Sequence, residues 1–217
     1  NNVASNFDSG DGGGIAATLG NTFQNPALLI LNNVSIISNT ASTGNLAASG
    51  GGLSIQAVGN SPLNVEMVNV VVAGNTAGND FSSSGGGIAF SLNGGKATLR
   101  KVRILDNRAA QIKTSLGGAS RGGGIYLNSG NLQLENVLLA GNFGERGDAL
   151  SVQPGNLLSA TVSMNYVTLA NNYRVAADAA TIIDSDGSQL FFRFANTLIS
   201  GNPTLLLASN NAQATSL

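Results

Sequence analysis

Gly122-Gly123-Gly124-Ile125-Tyr126-Leu127, followed by Leu132-Gln133-Leu134-Glu135-Asn136-Val137-Leu138-Leu139-Ala140-Gly141-Asn142, decides the fold, because most of the chain is this unit written again. Two anchors recur. A Gly-Gly-Gly-aliphatic signal stands at Gly12 to Ile15, Gly50 to Leu53, Gly85 to Ile88 and Gly122 to Ile125, and decays to Gly147-Asp148-Ala149-Leu150 and Ala179-Ala180-Thr181-Ile182. An aliphatic residue, two others and Asn follow: Ile36 with Asn39, Val72 with Asn75, Ile104 with Asn107, Leu139 with Asn142, Leu169 with Asn172, Ile199 with Asn202. The spacing lies in the range in which a repeat signals stacked units.

The apolar period within the unit sets the element type. Leu132, Leu134, Val137 and Leu139 alternate with Gln133, Glu135 and Leu138, the period of a strand with one buried face. The same columns recur in every repeat. Leu31, Met67, Leu99, Leu134, Met164 and Phe194 form one; Val34, Val70, Val102, Val137, Val167 and Thr197 a second; the aliphatics of the second anchor a third. No segment carries a helical stripe, and Gly and Asn interrupt the chain too often for one. Each repeat therefore reads as three short strands joined by turns.

Such a unit cannot close a core alone. Stacking repeats so that like strands pair in parallel buries the apolar columns in one interior. The expected architecture is all-β: a single right-handed parallel β-helix of about six rungs, its hand following from coil chirality, roughly 29 Å long at the usual strand spacing.

Bulk properties suit one domain over residues 1–217, with no linker-like stretch. There is no Cys and no His, which removes disulfides, thiol or imidazole catalysis and any zinc site built on those ligands. A net charge of -1 with 10% charged residues excludes an electrostatic nucleic-acid interface, which needs a clustered basic face. No apolar run is long enough to span a membrane.

The ends differ from the middle. Val3-Ala4-Ser5-Asn6 aligns with Ile36-Ile37-Ser38-Asn39 as the tail of a preceding rung, so residues 1–11 read as a partial rung and 12–202 as six repeats. Further protein, either more rungs or a partner, is expected against the N-terminal end, since a stack needs a cap. Pro203 to Leu207 breaks the pattern and is expected to fold over the last rung, with Ala208 to Leu217 as a polar tail. Variable segments (Thr40 to Ser49, Thr76 to Ser84, Arg108 to Arg121, Phe143 to Arg146, Tyr173 to Asp178) are expected along one edge, where insertions mark a binding face.

Gly-Gly-Gly-Ile paired with aliphatic-x-x-Asn resembles the GGA(I/L/V) and FxxN repeats of chlamydial polymorphic outer-membrane proteins and of bacterial surface proteins with right-handed β-helix regions. Ala195-Asn196-Thr197-Leu198-Ile199-Ser200-Gly201-Asn202 is similar to a rung of choice-of-anchor and CSLREA-type secreted β-helix proteins. The resemblance covers residues 3–202 and departs from the chlamydial pattern in carrying Ile, Val or Leu where Phe is usual. It implies a secreted or surface-attached bacterial module.

Several residue sets bear on function. Asn39, Asn75, Asn107, Asn142, Asn172 and Asn202 either line a ligand site or form a structural ladder; Asn tolerates left-handed turns and its amide can bond along a stack, which favours the ladder. The glycines lack the Lys-Ser/Thr of a phosphate loop and read as turn formers. Asp8 with Asp11, and Asp184 with Asp186, place paired carboxylates in Gly-containing turns, a setting for Ca²⁺ that here lacks a full ligand set. The edge gathers Arg108, Lys113 and Arg121 near Glu145, Arg146 and Asp148.

For an enzyme acting on polysaccharides, a carboxylate pair or a base beside acidic metal ligands is required. The outward first-strand positions Ala16, Ser54, Ala89, Tyr126 and Ser151 are uncharged, and the second strand offers Glu66, Arg100, Glu135 and Arg193. Arg100 and Glu135 are expected as neighbours on adjacent rungs. The expectation is a non-catalytic extracellular module, an adhesin-like passenger or a structural subunit without cofactor, with a carbohydrate-active or glycan-binding β-helix as the alternative.

Overall fold

The computed structural model describes all residues except 1, 6–9, 21–25, 45–46, 79–82, 111–119, 155–159, 173–182, 186–189, 202–205, 209–211 and 217. Its regular elements are all strands, and every strand pairing among the described residues is parallel.

Each repeat lays its strands on the like strands of the next. In the first column Ile15, Leu53, Ile88, Ile125, Leu150 and Ile183 follow one another. In the second, Leu31 pairs with Met67, then Leu99, Leu134, Met164 and Phe194. In the third, Ile36 is followed by Val72, Ile104, Leu139, Leu169 and Ile199. All three columns join one core, in which Ile15, Leu31, Phe194 and Ile199 at the ends are partly exposed and the remaining members are buried. The side-chain period of two is what locks this register, since a one-residue slip would turn every apolar residue outward.

Corners are made by left-handed residues at fixed places. One lies between the second and third strands, at Asn33, Asn69, Lys101, Asn136, Tyr166 and Asn196; another immediately precedes the asparagine of the second anchor, at Ser38, Gly74, Asp106, Gly141, Asn171 and Gly201. The described anchor asparagines, Asn39 to Asn172, are not left-handed, so that part of the sequence argument moves to the residue before them. The glycine triplet makes the corner into the first strand. At Gly85 φ is 65°; a Cβ on Gly86 would collide with the main chain of Arg108 and Gly123, and one on Gly87 would lie 2.7 Å from the Gly124 carbonyl oxygen and 3.1 Å from the Asn107 carboxamide. The two anchors are therefore one packing unit, with main chain and amide filling the space that the glycines vacate.

Three departures from expectation have physical reasons. Thr40–Ser42, Thr76–Gly78 and Arg108–Ala110 pair with each other and with Val3–Ser5 as a separate four-stranded sheet, so the segments read as variable open with a regular strand. Its signal is the small residue two after each asparagine: Ala41, Ala77 and Ala109 are fully buried. In the middle of the chain the first and second strands run on as Ile88–Arg100, and all three run on as Ile125–Ala140, with register shifts at Phe90 to Lys96 absorbing the corner. At the ends, Val3 pairs with Thr40, which places Asn2 rather than Asn6 beside Asn39 and leaves Val3 44% exposed. At the other end Leu206–Ala208 and Ala212–Ser216 pair in parallel with Ile183–Ser185 and Leu190–Ala195. The stack thus runs on where a fold-over and a polar tail were expected.

Candidate functional site

The asparagine column is a buried hydrogen-bonded chain. The backbone N–H and Nδ2 of Asn39 both donate to Asn75 Oδ1 at 2.9 and 3.1 Å. Asn75 donates in the same way to Asn107 Oδ1 at 3.0 and 2.9 Å, Asn107 to Asn142 at 3.1 and 3.0 Å, and Asn142 to Asn172 at 3.1 and 2.9 Å. The second Nδ2 hydrogen of Asn75, Asn107, Asn142 and Asn172 goes to the carbonyl of Ile36, Val72, Ile104 and Leu139, each at 2.9 Å. With Asn75, Asn107, Asn142 and Asn172 completely buried, the amides are consumed by structure and offer nothing to a ligand. Asn202 lies outside the described residues.

The proposed interaction edge is only partly assembled. Arg108 lies over the Phe143 ring with 5.8 Å to its centroid. Glu145 Oε2 accepts the Ser120 N–H at 3.3 Å while Ser120 Oγ accepts the Glu145 N–H at 3.1 Å. Asp148, buried in the slot of the second glycine, accepts the Gly144 N–H at 3.1 Å. Arg121 and Arg146 are paired neighbours in the stack. These contacts tie loop to loop, and Lys113 lies outside the described residues.

Of the calcium candidates, only the side chain of Asp11 lies among the described residues. Asp11 pairs with Ser49 and lines a shallow cleft with Ser54, Gln56, Ser91, Tyr126 and Asn128. Asp184 is a strand residue opposite Ser151; Asp8, Asp186 and the side chain of Asp184 lie outside the described part. Among the described residues no three acidic side chains gather as a metal site would need.

The first-strand face is less open than its pattern implies, because Ala89 and Ser151, both expected outward, are buried. Tyr126 stands between them in the stack, and its hydroxyl donates to Gln153 Oε1 at 3.1 Å, so the ring lies along this face. Burial raises the Tyr126 phenol above its ordinary value, an effect that the nearby Arg121 charge partly offsets.

The second-strand face holds a groove of about 420 Å³, lined by Gln133, Glu135, Ser163, Asn165, Arg193 and Ala195 over the main chain of three adjacent strands. Arg100 donates to Glu135 at 3.2 Å as the sequence register requires. Both side chains are more than a third exposed, so the pair contributes only about 0–1 kcal/mol. Glu66 faces Thr98, not Arg100. By strand spacing it lies about 12 Å from Glu135, which does not make the carboxylate pair of a glycosidase. Sequence reasoning picked out Glu135 and Arg193 but missed Gln133, Ser163 and Asn165; their common outward parity with Arg193 was the signal.

Fold and site together define a class: an all-β protein of parallel-stacked repeats pinned by an asparagine ladder. No family model, curated protein or solved structure matches the chain. Among the described residues no helix is long and apolar enough to cross a membrane, which says nothing of β-barrels.

Proposed function

We propose that the chain is a right-handed parallel β-helix acting as a non-catalytic module of the bacterial surface or secretome, either an adhesin-like passenger or a structural subunit of a larger assembly. The observation that carries this reading is the division of chemistry between inside and outside. The buried asparagines are committed to the ladder, and the outward strand faces place no two carboxylates at catalytic separation among the described residues. The hand follows from coil chirality, and surface placement rests on the resemblance of the paired anchors.

A docking role for the N-terminal end is part of the same reading. Ile15–Leu19, Ala27–Asn32 and Ser35–Ile37 each pair on one side only among the described residues, and such an edge invites further strands. Leu28 and Ile30 beside it are 56% and 58% exposed. Sedimentation of the purified chain should show association that grows with concentration and that a charge at Leu28, as Lys, suppresses.

The test of the non-catalytic assignment is turnover. The chain incubated with acidic and neutral polysaccharides should release neither unsaturated nor reducing ends. Release that Glu66→Gln or Glu135→Gln abolishes would establish the enzyme instead.

A further inference from the structure

We propose that the groove of Gln133, Glu135, Ser163, Asn165 and Arg193 binds an acidic polysaccharide, a uronate carboxylate facing Arg193 and its sugar ring resting between Tyr166 and Phe191. The register sets these residues out. Gln133, Ser163 and Arg193 form one outward column and Glu135, Asn165 and Ala195 the next, so amide, hydroxyl and guanidinium groups alternate around the short Ser163 and Ala195. The polar lining spans about 10 Å across the strands and about 7 Å along them, room for one sugar ring. Its volume of about 420 Å³ falls in the roughly 300–1,000 Å³ range of small-ligand clefts.

Charge selects the class of sugar. Glu135 is neutralised by Arg100, whereas Arg193 is exposed and forms no ion pair among the described residues. The groove therefore has one cation to spare, enough for the carboxylate of one uronate but not for the run of phosphates in a nucleic acid. A peptide is a poorer fit. Extended peptides are held chiefly by main-chain bonding to a strand edge, and here Ala160–Ala170 and Leu190–Ala195 are paired on both sides, leaving only side chains to meet a ligand. Carboxamides, hydroxyls and aromatic faces match the hydroxyls and C–H faces of sugars.

The aromatic residues supply a second, independent observation. Tyr166 is 58% exposed and Phe191 43%, and they stand on opposite sides of the groove. Tyr166 also occupies the left-handed corner that holds Asn33, Asn69, Asn136 and Asn196 in four other repeats and Lys101 in a fifth, with φ 54°. A bulky ring is disfavoured at that conformation, and strain of this kind concentrates at ligand sites. Asparagine would satisfy the corner, so the fold alone does not call for a tyrosine there.

The experiment is calorimetric titration of the intact chain with oligogalacturonate, with a neutral malto-oligosaccharide of equal length and with poly-glutamate. Oligogalacturonate is expected to bind and the other two to bind at least about tenfold more weakly. Arg193→Gln should remove the preference for the acidic sugar, and Tyr166→Asn should weaken binding about tenfold while the chain melts no lower than the parent. Absence of oligogalacturonate binding, equal binding of poly-glutamate, or indifference to both substitutions overturns the proposal. The inference rests on side-chain register and not on the surface-module reading. Cleavage of bound oligogalacturonate would refute the non-catalytic assignment and leave the binding site standing.

Discussion

Asn107 shows how much one side chain can hold. It accepts from the N–H and Nδ2 of Asn75 and donates to Asn142 Oδ1 and the Val72 carbonyl, fully buried throughout. Asn107→Ala strips partners from buried groups on the two flanking repeats, at about 1–3 kcal/mol for each group left unsatisfied, and we expect a loss of about 3 kcal/mol or more in urea unfolding. Asn39, with one face toward the end of the stack, should lose less. Tyr166 has the opposite sign: Tyr166→Asn relieves a left-handed corner and should stabilise the chain by about 0.5–1 kcal/mol. For Tyr126 the folded phenol is raised above its unfolded 10.0. That neutral-form stabilisation is complete below the unfolded value and is lost as pH climbs through the folded one. Urea midpoints measured from neutral pH into this alkaline range should therefore fall further for the parent than for Tyr126→Phe.

At the scale of the element, the glycine corner is the most sensitive join. Gly86→Ala would drive a methyl group into the main chain of Arg108 and Gly123, and neither can yield without breaking the parallel pairing beside it. We expect a loss of more than about 3 kcal/mol or failure to fold, visible as lost near-native circular dichroism. This join also shows what the sequence makes legible. The apolar columns through Leu134 and Leu139 were readable to the residue because a period of two, repeated with the same aliphatic types, admits a single register, whereas the first-strand column slips by one at its end, where Ile183 and not Ile182 stands beside Leu150. Ala41, Ala77 and Ala109 were overlooked because alanine is a weak hydrophobic signal next to leucine and valine. The groove was half legible. Its charged members stand out in a chain with 10% charged residues, whereas Ser163 and Asn165 gain meaning only from the residues stacked beside them. The continuous strands of the middle repeats could not be read, since a register shift leaves the outward and inward parity intact on either side of the corner.

Over the whole molecule, stability follows the position of a repeat in the stack. Ile15, Leu29 and Leu31 are partly exposed where Leu53, Val65 and Met67 below them are sealed. Stacked repeats lean only on their neighbours, so hydrogen exchange should be fastest in Ile15–Leu19 and Ala27–Asn32 and slowest in the strands of Ile88–Arg100 and Ile125–Ala140. Uniform protection along the stack would contradict a nearest-neighbour construction. The ladder adds a mechanical property. Its amide bonds run from one repeat to the next, so tension applied between the chain ends peels layers instead of shearing them together. Each layer carries a reserve of length set by the ladder spacing of 36, 32, 35 and 30 residues. A single molecule held between two surfaces should consequently extend in discrete steps of about 11–13 nm, paying out slack one coil at a time while the layers still assembled keep their grip.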